Sequence, residues 1–140
     1  MESINDPSQA QSIELLTQLA HVEALRGKTK EAQGLLDTAK QNMTKIEGSG
    51  NPRPELRFLL ESGRLACLLR TPDQAQGRFR RAWEIAMENN EDFFAIDAAL
   101  MLAITQPPKA QAAWLERAIH VALEANSTPP AFLKINVEAG

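Results

Sequence analysis

The sequence predicts an all-α fold in which helical hairpins stack side by side. Strong helix formers such as Ala, Leu, Glu, Gln and Arg dominate the composition, whereas Tyr is absent and only five Phe and two Trp occur. Residues that favour strands are therefore few. A stretch with the same pattern of small residues also occurs three times along the chain, and a repeated hairpin must stack on its neighbours to bury its apolar face.

The first predicted hairpin covers residues 8–47 and follows an N-terminal extension of residues 1–7. In its first helix the apolar residues from position 13 to position 24 recur every three or four positions, as one face of a helix requires. Gly27 is the expected left-handed stop of this helix. A second helix is predicted from about residue 29 to residue 46.

The second predicted hairpin covers residues 54–90 and follows a loop at residues 48–53. The loop is predicted because Gly and Pro both break helices. Inside the hairpin, Thr71, Pro72 and Asp73 mark the start of a new helix. Thr is a favourable N-cap, Pro suits the first helical position, and an acidic residue suits the first turn.

The third predicted hairpin covers residues 91–126, and its two helices are separated by prolines at positions 107–108. Its first helix is apolar nearly all round between residues 93 and 102, where Asp97 is the exception. Such a helix is predicted to be central and buried, and Asp97 would then need a partner. Residues 127–140 are predicted to form a truncated or capping helix.

The repeated residues resemble the tetratricopeptide repeat (TPR) family. That family places small and bulky residues alternately where the two helices of each hairpin meet. The resemblance implies a right-handed helical-hairpin solenoid of about three hairpins plus a short C-terminal helix, and a non-catalytic scaffold that binds a protein or peptide. The first helices carry small residues at Ala20, Gly63 and Ala99; the second helices carry Ala32, Leu36 and Ala39, then Ala75, Phe79 and Ala82, then Gln111, Leu115 and Ala118.

The resemblance also implies where a partner would bind, because partners of this family usually lie in a concave groove lined by the first helices. Arg57 and Arg64 would share one helical face there with Glu61 between them. They could clamp an acidic peptide or a C-terminal carboxylate, or they could form a self-satisfied charge network with Glu61 and Asp97. Asp97 would pair with Arg64 or contribute to ligand binding. The candidate groove residues are His21, Arg57, Glu61, Arg64, Phe93, Asp97 and Leu100.

Charge and motif content argue against several other classes of function. The net charge of −3 gives no overall attraction to nucleic acid, although residues 53–81 hold seven Arg and only three acidic residues. His21, His120 and the single Cys67 have no metal-ligand spacing, and no cofactor-binding or catalytic motif occurs. We therefore expect no metal, no cofactor, no nucleic acid and no enzymatic activity. An enzyme with a pocket around Asp97 is the weakest alternative.

The chain is expected to be cytoplasmic and not bound to a membrane. One cysteine allows no internal disulfide, and the first residues do not have the pattern of a signal peptide. The longest apolar run, residues 98–104, is far shorter than the roughly 20 residues that span a bilayer.

A second hypothesis is a self-associating structural module without an external ligand. The terminal segment contains Phe132, Leu133, Ile135 and Val137. We expect Phe132 and Leu133 to pack on the last hairpin, and the apolar surface that stays uncovered to promote a homodimer. The expected contacts on the last hairpin are Leu115, Ile119 and Leu123.

Overall fold

The computed structural model describes residues 7–125, which form six α-helices and no strand. The all-α prediction is therefore confirmed for this part of the chain. The predicted helix at 127–140 lies outside the described residues, as do positions 1–6 of the predicted extension. The helices are α1 Pro7–Leu25, α2 Thr29–Met43, α3 Arg53–Leu68, α4 Pro72–Glu88, α5 Asp92–Thr105 and α6 Pro108–Ala125, and a short 3₁₀ helix, Thr44–Ile46, follows α2.

Most helix boundaries lie within two residues of the predicted ones, and the largest difference is at the loop after α2. The α-helix ends at Met43, and the last predicted turn is a 3₁₀ helix instead. Arg53, predicted to be in the loop, begins α3, and Pro54 lies in its first turn. Proline is tolerated there because the first helical N–H groups have no partner within the helix.

Three of the turns between helices have the same geometry. Gly27, Arg70 and Asn90 each adopt a positive φ, of 80°, 59° and 56°. The next residue donates its N–H to a carbonyl five positions earlier, which is the Schellman motif. Gly27 is the predicted stop, whereas Arg70 and Asn90 take the same conformation without being glycine. The hydrogen bonds run from Lys28 to Glu23 at 2.8 Å, from Thr71 to Ala66 at 2.9 Å and from Glu91 to Ala86 at 2.9 Å.

Thr71 occupies the predicted N-cap position of α4, but its side chain does not cap that helix. Its hydroxyl instead donates a hydrogen bond to the carbonyl of Ala66 at 3.1 Å. The side chain thus reinforces the end of α3. Pro72 begins α4, as predicted.

Two apolar clusters meet at α3, which is the central helix of the described chain. One cluster joins α1, α2 and the 3₁₀ helix to α3, and the other joins α3 to α4, α5 and α6; Leu59 packs against both. We call them the amino-terminal and carboxyl-terminal clusters. The first includes Ile13, Ala20, Leu36, Ile46, Phe58 and Leu65, and the second includes Leu56, Leu60, Phe79, Leu102, Trp114 and a set of alanines from α4, α5 and α6.

The prediction that α5 is buried nearly all round is wrong. Ala95, Ala99 and Leu102 are buried, but the opposite side of the helix is open, and Phe93 is 88% exposed. The physical reason is that α5 packs mainly against α4 and α6 and makes little close contact with α3. Its close helix packing is therefore on one side, and α3 reaches the other side only through side chains such as Arg57 and Arg64.

Gly63 supports the predicted register of the second hairpin. A Cβ atom built on Gly63 would overlap the Phe79 ring, lying only 2.7 Å from its Cζ atom. The missing side chain is what lets α3 and α4 approach at this point. Ala20 and Ala99, the corresponding small residues of the other two hairpins, are also buried.

In α6 the predicted contact residue Leu115 is wrong, whereas Ala118 is buried as predicted. Leu115 is exposed, and Trp114 takes the buried position before Ala118. The two residues differ by about 100° around the helix. Trp114 meets Trp83 edge to face at 5.5 Å, and the Arg117 guanidinium lies 4.2 Å from the centre of its ring. These ring contacts favour Trp114 over the smaller Leu115 as the residue that faces the core.

Candidate functional site

Two open depressions form one continuous surface on the first helices of the three predicted hairpins. One, of about 560 Å³, lies between α1 and α3, and the other, of about 760 Å³, lies between α3 and α5. Arg57, Phe94 and Asp97 line both. We call their combined lining the α1–α3–α5 surface. The first depression contains the predicted residues His21, Arg57, Glu61, Arg64 and Asp97, and the second contains Phe93, Leu100, Arg57 and Asp97.

A chain of polar contacts links the three helices across this surface. Glu61 is buried, and its Oε1 atom lies 2.9 Å from Nδ1 of His21 on α1. Arg64 lies 3.8 Å from the other oxygen of Glu61 and donates a 2.6 Å hydrogen bond to Asp97 on α5. The contacts at Arg64 agree with the self-satisfied charge network, because both of its acidic neighbours belong to this chain.

Arg57 does not join that network as predicted. Its Nε donates a 2.8 Å hydrogen bond to Glu14 on α1, and its guanidinium lies 5.2 Å from the centre of the Phe94 ring. The packing of α1 beside α3 brings Glu14 within reach of Arg57, so the Arg57–Glu61 pair expected from helical spacing does not form. The sequence contains the Phe93-Phe94 pair, but no signal in it separates the exposed ring from the one under Arg57.

The pairing of Asp97 with Arg64 is confirmed, but the predicted burial of Asp97 is wrong. The Asp97 side chain is 38% exposed and that of Arg64 is 34% exposed. Asp97 lies on the open side of α5, four residues after Phe93 and three before Leu100. Water therefore screens this pair, and its contribution to stability is smaller than that of a buried ion pair.

The open side of α5 carries a row of apolar side chains beside the depressions. Phe93, Leu100 and Ile104 are exposed, and Ile96 is half-buried. Their spacing of three or four residues places them along one helical face. Asp97 lies on the same face, and exposed apolar residues grouped in this way on an ordered helix are typical of an interaction site.

A second apolar row lies on α6, the last helix of the described chain. Leu115, Ile119 and Leu123 are exposed at successive four-residue steps, and Ile119 is 58% exposed. Phe132 and Leu133, which we expect to cover this row, lie outside the described residues. The row is separate from the α1–α3–α5 surface, since none of its residues lines either depression.

A third depression, of about 500 Å³, lies where the segment 47–52 passes α2, α3 and α4. Its charged residues are of both signs, including Lys40 and Arg81 as well as Glu47 and Glu88. The sequence did not indicate this depression, because three helices and a loop that are distant in the chain form it together.

Cys67 has the properties of a structural thiol. It is half-buried beside the carboxyl-terminal cluster. Burial raises the pKa of the thiol, and the positive charge of Arg64 offsets only part of that increase. A raised pKa keeps the thiol protonated at neutral pH, where the thiolate would be the reactive form.

The part of the chain that the structure describes, residues 7–125, contains no group of three or more His, Cys, Asp or Glu residues that could hold a metal ion. None of its helices is both long enough and apolar enough to cross a bilayer. Comparison of the chain with known protein families, curated proteins and solved structures finds no match.

Proposed function

We propose that this protein is a non-catalytic, TPR-like scaffold module that binds a segment of another protein on the α1–α3–α5 surface. The observation that carries this proposal is the exposed row Phe93, Leu100 and Ile104, which continues the lining of the α3–α5 depression. Burying the exposed parts of these three side chains against a partner would contribute at most about 1.5–3 kcal/mol each before the costs of association.

The solenoid architecture is part of the same proposal. Close packing of α1 with α2, of α3 with α4 and of α5 with α6 supports three successive hairpins. The fit of Gly63 against Phe79 supports the small-and-bulky alternation of a TPR-like hairpin. We propose that these hairpins stack in a right-handed array, with the first helices on the partner-binding side.

The charges of the α1–α3–α5 surface support binding rather than catalysis. Each arginine on this surface is paired with a carboxylate of the same chain. Arg57, for example, is paired with Glu14, and Arg64 with Asp97. We propose a cytoplasmic location, which the single cysteine favours, and no role in nucleic-acid binding. Arg80, in the arginine-rich stretch, lies over the Trp114 ring at 5.3 Å and is thus engaged within the fold.

Selection from a displayed library of random 16-residue peptides tests the proposed function. Peptides selected on the wild-type protein should lose at least tenfold in affinity for Phe93→Glu, because the variant places a charge in the apolar row. The matched control is Ile119→Glu, which makes the same kind of change at an exposed apolar residue of α6. Selection without binders, or binders equally weakened by both variants, would contradict the proposal.

Self-association is the second candidate function, and the exposed row of Leu115, Ile119 and Leu123 favours it. A homodimer would bury this row without any external ligand. Sedimentation of the wild-type protein over a concentration series should then show a dimer that Ile119→Glu converts to a monomer. A wild-type protein that stays monomeric at the highest concentration would exclude this alternative.

A further inference from the structure

The open face of α5 has the pattern of apolar residues that is typical of a helix packed against another helix. Phe93, Ile96, Leu100 and Ile104 follow one another at steps of three, four and four residues, which is the spacing of a seam between packed helices. From Phe93 to Ile104 the row extends about 16 Å, or three helical turns. A partner helix of three to four turns would cover it.

An extended peptide fits this face less well than a helix. Extended segments gain affinity when their backbone hydrogen bonds add a strand to the edge of a sheet, and the residues from 7 to 125 form no strand. Between the two ends of α5 the exposed groups are side chains, because the backbone N–H and carbonyl groups there are engaged within the helix. A partner must therefore match the apolar side chains of this face with a row of its own side chains, and an amphipathic helix has such a row.

The charges around the face favour a basic partner. The arginines of the surface are already paired, Arg53 with Glu91 at 3.0 Å and Arg64 with Asp97 at 2.6 Å, while Arg57 is held by Glu14. Asp92 is exposed, and no described side chain pairs with it. The two depressions are lined by the carboxylates Glu61, Glu91, Asp92 and Asp97 but by only the three arginines Arg53, Arg57 and Arg64.

An acidic segment, which the sequence allowed as one of two alternatives for the arginines, would have to displace these pairs and approach the remaining carboxylates. A basic segment would instead approach Asp92 directly and would share the half-exposed carboxylate of Asp97. Electrostatic complementarity of this kind selects between partners even where each pair contributes little.

We infer that the segment bound on the α1–α3–α5 surface is an amphipathic helix that lies along α5, with Lys or Arg residues beside its apolar row. This inference rests on the proposed function and adds the chemistry of the partner to it. The apolar row of the partner would contact Phe93, Leu100 and Ile104, and its basic residues would face Asp92 and Asp97.

A helix-forming peptide library tests the inference. Four apolar positions are fixed at the spacing found on α5, and the flanking positions vary among Lys, Gln and Glu. We expect selection on the wild-type protein to enrich Lys over Glu at the flanking positions. Affinity of the selected peptides should fall as salt is added, since exposed charge pairs are screened.

The charge-reversing variant Asp92→Lys should lower the affinity of the selected basic peptides about twofold to fivefold, the range for an exposed ion pair. Its matched control is Asp73→Lys, because Asp73 also lies in the first turn of a helix, α4, but outside both depressions. Circular dichroism should show that both variants keep the wild-type helix content.

The outcomes separate this inference from the proposed function. Enrichment of Glu over Lys, no preference between them, or equal effects of the two charge reversals would overturn the basic partner. Random-library binders that depend on Phe93 but contain prolines throughout would overturn the helical partner and leave the proposed function intact. Absence of Phe93-dependent binders from both libraries would overturn the two together.

Discussion

Helices α3 and α5 show that the more apolar of two helices need not be the more buried one. The first carries charges at Arg57, Glu61 and Arg64, yet it is buried on several sides and joins both apolar clusters. The second has Asp92 and Asp97 as its only charged residues, yet one of its sides is open to solvent. Neighbours decide the difference: α3 packs against α1, α2 and α4, whereas α5 packs mainly against α4 and α6.

The comparison indicates which apolar residues serve the core and which remain for binding. In α3 the side chains of Arg57 and Arg64 reach the surface between apolar contacts on either side, whereas Glu61 is buried. In α5 the alanines Ala95, Ala98 and Ala99 form the core contact together with Leu102, and Phe93, Leu100 and Ile104 are left outside. The large apolar side chains on the side away from the core are the basis for assigning a binding role to α5.

The largest difference should come from the same substitution in the two helices. We expect Phe58→Ala in α3 to lower the free energy of unfolding by about 3–5 kcal/mol, as for a large core residue. Phe93→Ala in α5 should change it by less than about 0.5 kcal/mol, as for an exposed site. Urea denaturation followed by circular dichroism measures both values. Similar losses for the two variants would contradict the assigned roles of the helices.

The next largest effect concerns the close approach of α3 to α4. Gly63→Leu should destabilise the protein by about 1–3 kcal/mol, because the new side chain would overlap the Phe79 ring. Gly77→Ala is the control, since nothing lies within 4 Å of a Cβ atom built there. It should stabilise by about 0.5–1 kcal/mol through helix propensity. If Gly63→Leu did not change the stability, the Phe79 ring or the two helices would be able to shift at little cost, and the prediction would be wrong.

The ion pair that joins α3 to α5 should matter less. A double-mutant cycle with Arg64→Ala and Asp97→Ala should give a coupling free energy of up to about 1 kcal/mol, because both side chains are partly exposed. The coupling should decrease in high salt. A value of 3 kcal/mol or more, about what breaking a buried pair costs, would mean that α5 is less accessible than described.

The smallest effect is expected at the turn after α3. Arg70 adopts a φ of 59°, which glycine accepts without steric cost. Arg70→Gly should therefore stabilise the protein by about 0.5 kcal/mol, as measured by urea denaturation. Arg70→Ala serves as the control and should give no gain, because alanine has the same steric restriction at positive φ.

The sequence was sufficient to predict where the helices lie in the chain, but not all of the contacts between them. Periodicity and helix-breaking residues placed the six helices close to their observed boundaries, and the TPR-like pattern of small and bulky residues placed Gly63 and Phe79 where α3 and α4 meet. The same pattern assigned Leu115 to the core-facing position of α6. A pattern of residue types cannot predict the ring contacts that favour Trp114 at that position. Likewise, helical spacing assigned Glu61 to Arg57, whereas the observed partner, Glu14, depends on how α1 lies beside α3.

The sequence predicted which residues belong to the site better than it predicted their contacts and exposure. All seven candidate residues line the two depressions, because the resemblance to the TPR family implied a groove on the first helices and helical spacing gave the positions that share a face there. The exposure of Asp97 and the stacking of Arg57 on Phe94 did not follow, since both depend on how many neighbours surround α5. Local pattern fixes the face of a helix, and the tertiary arrangement decides whether that face is covered.

The shared turn geometry has a consequence for how this chain could change in length. From α3 to α5 the structural unit is one helix followed by one three-residue turn, and each such unit reverses the direction of the chain. Insertion of a single unit before α5 would invert that helix and move Phe93 to the opposite end of the surface. Insertion of two units would restore its direction. Length variants that preserve the α5 face should therefore differ by an even number of helices.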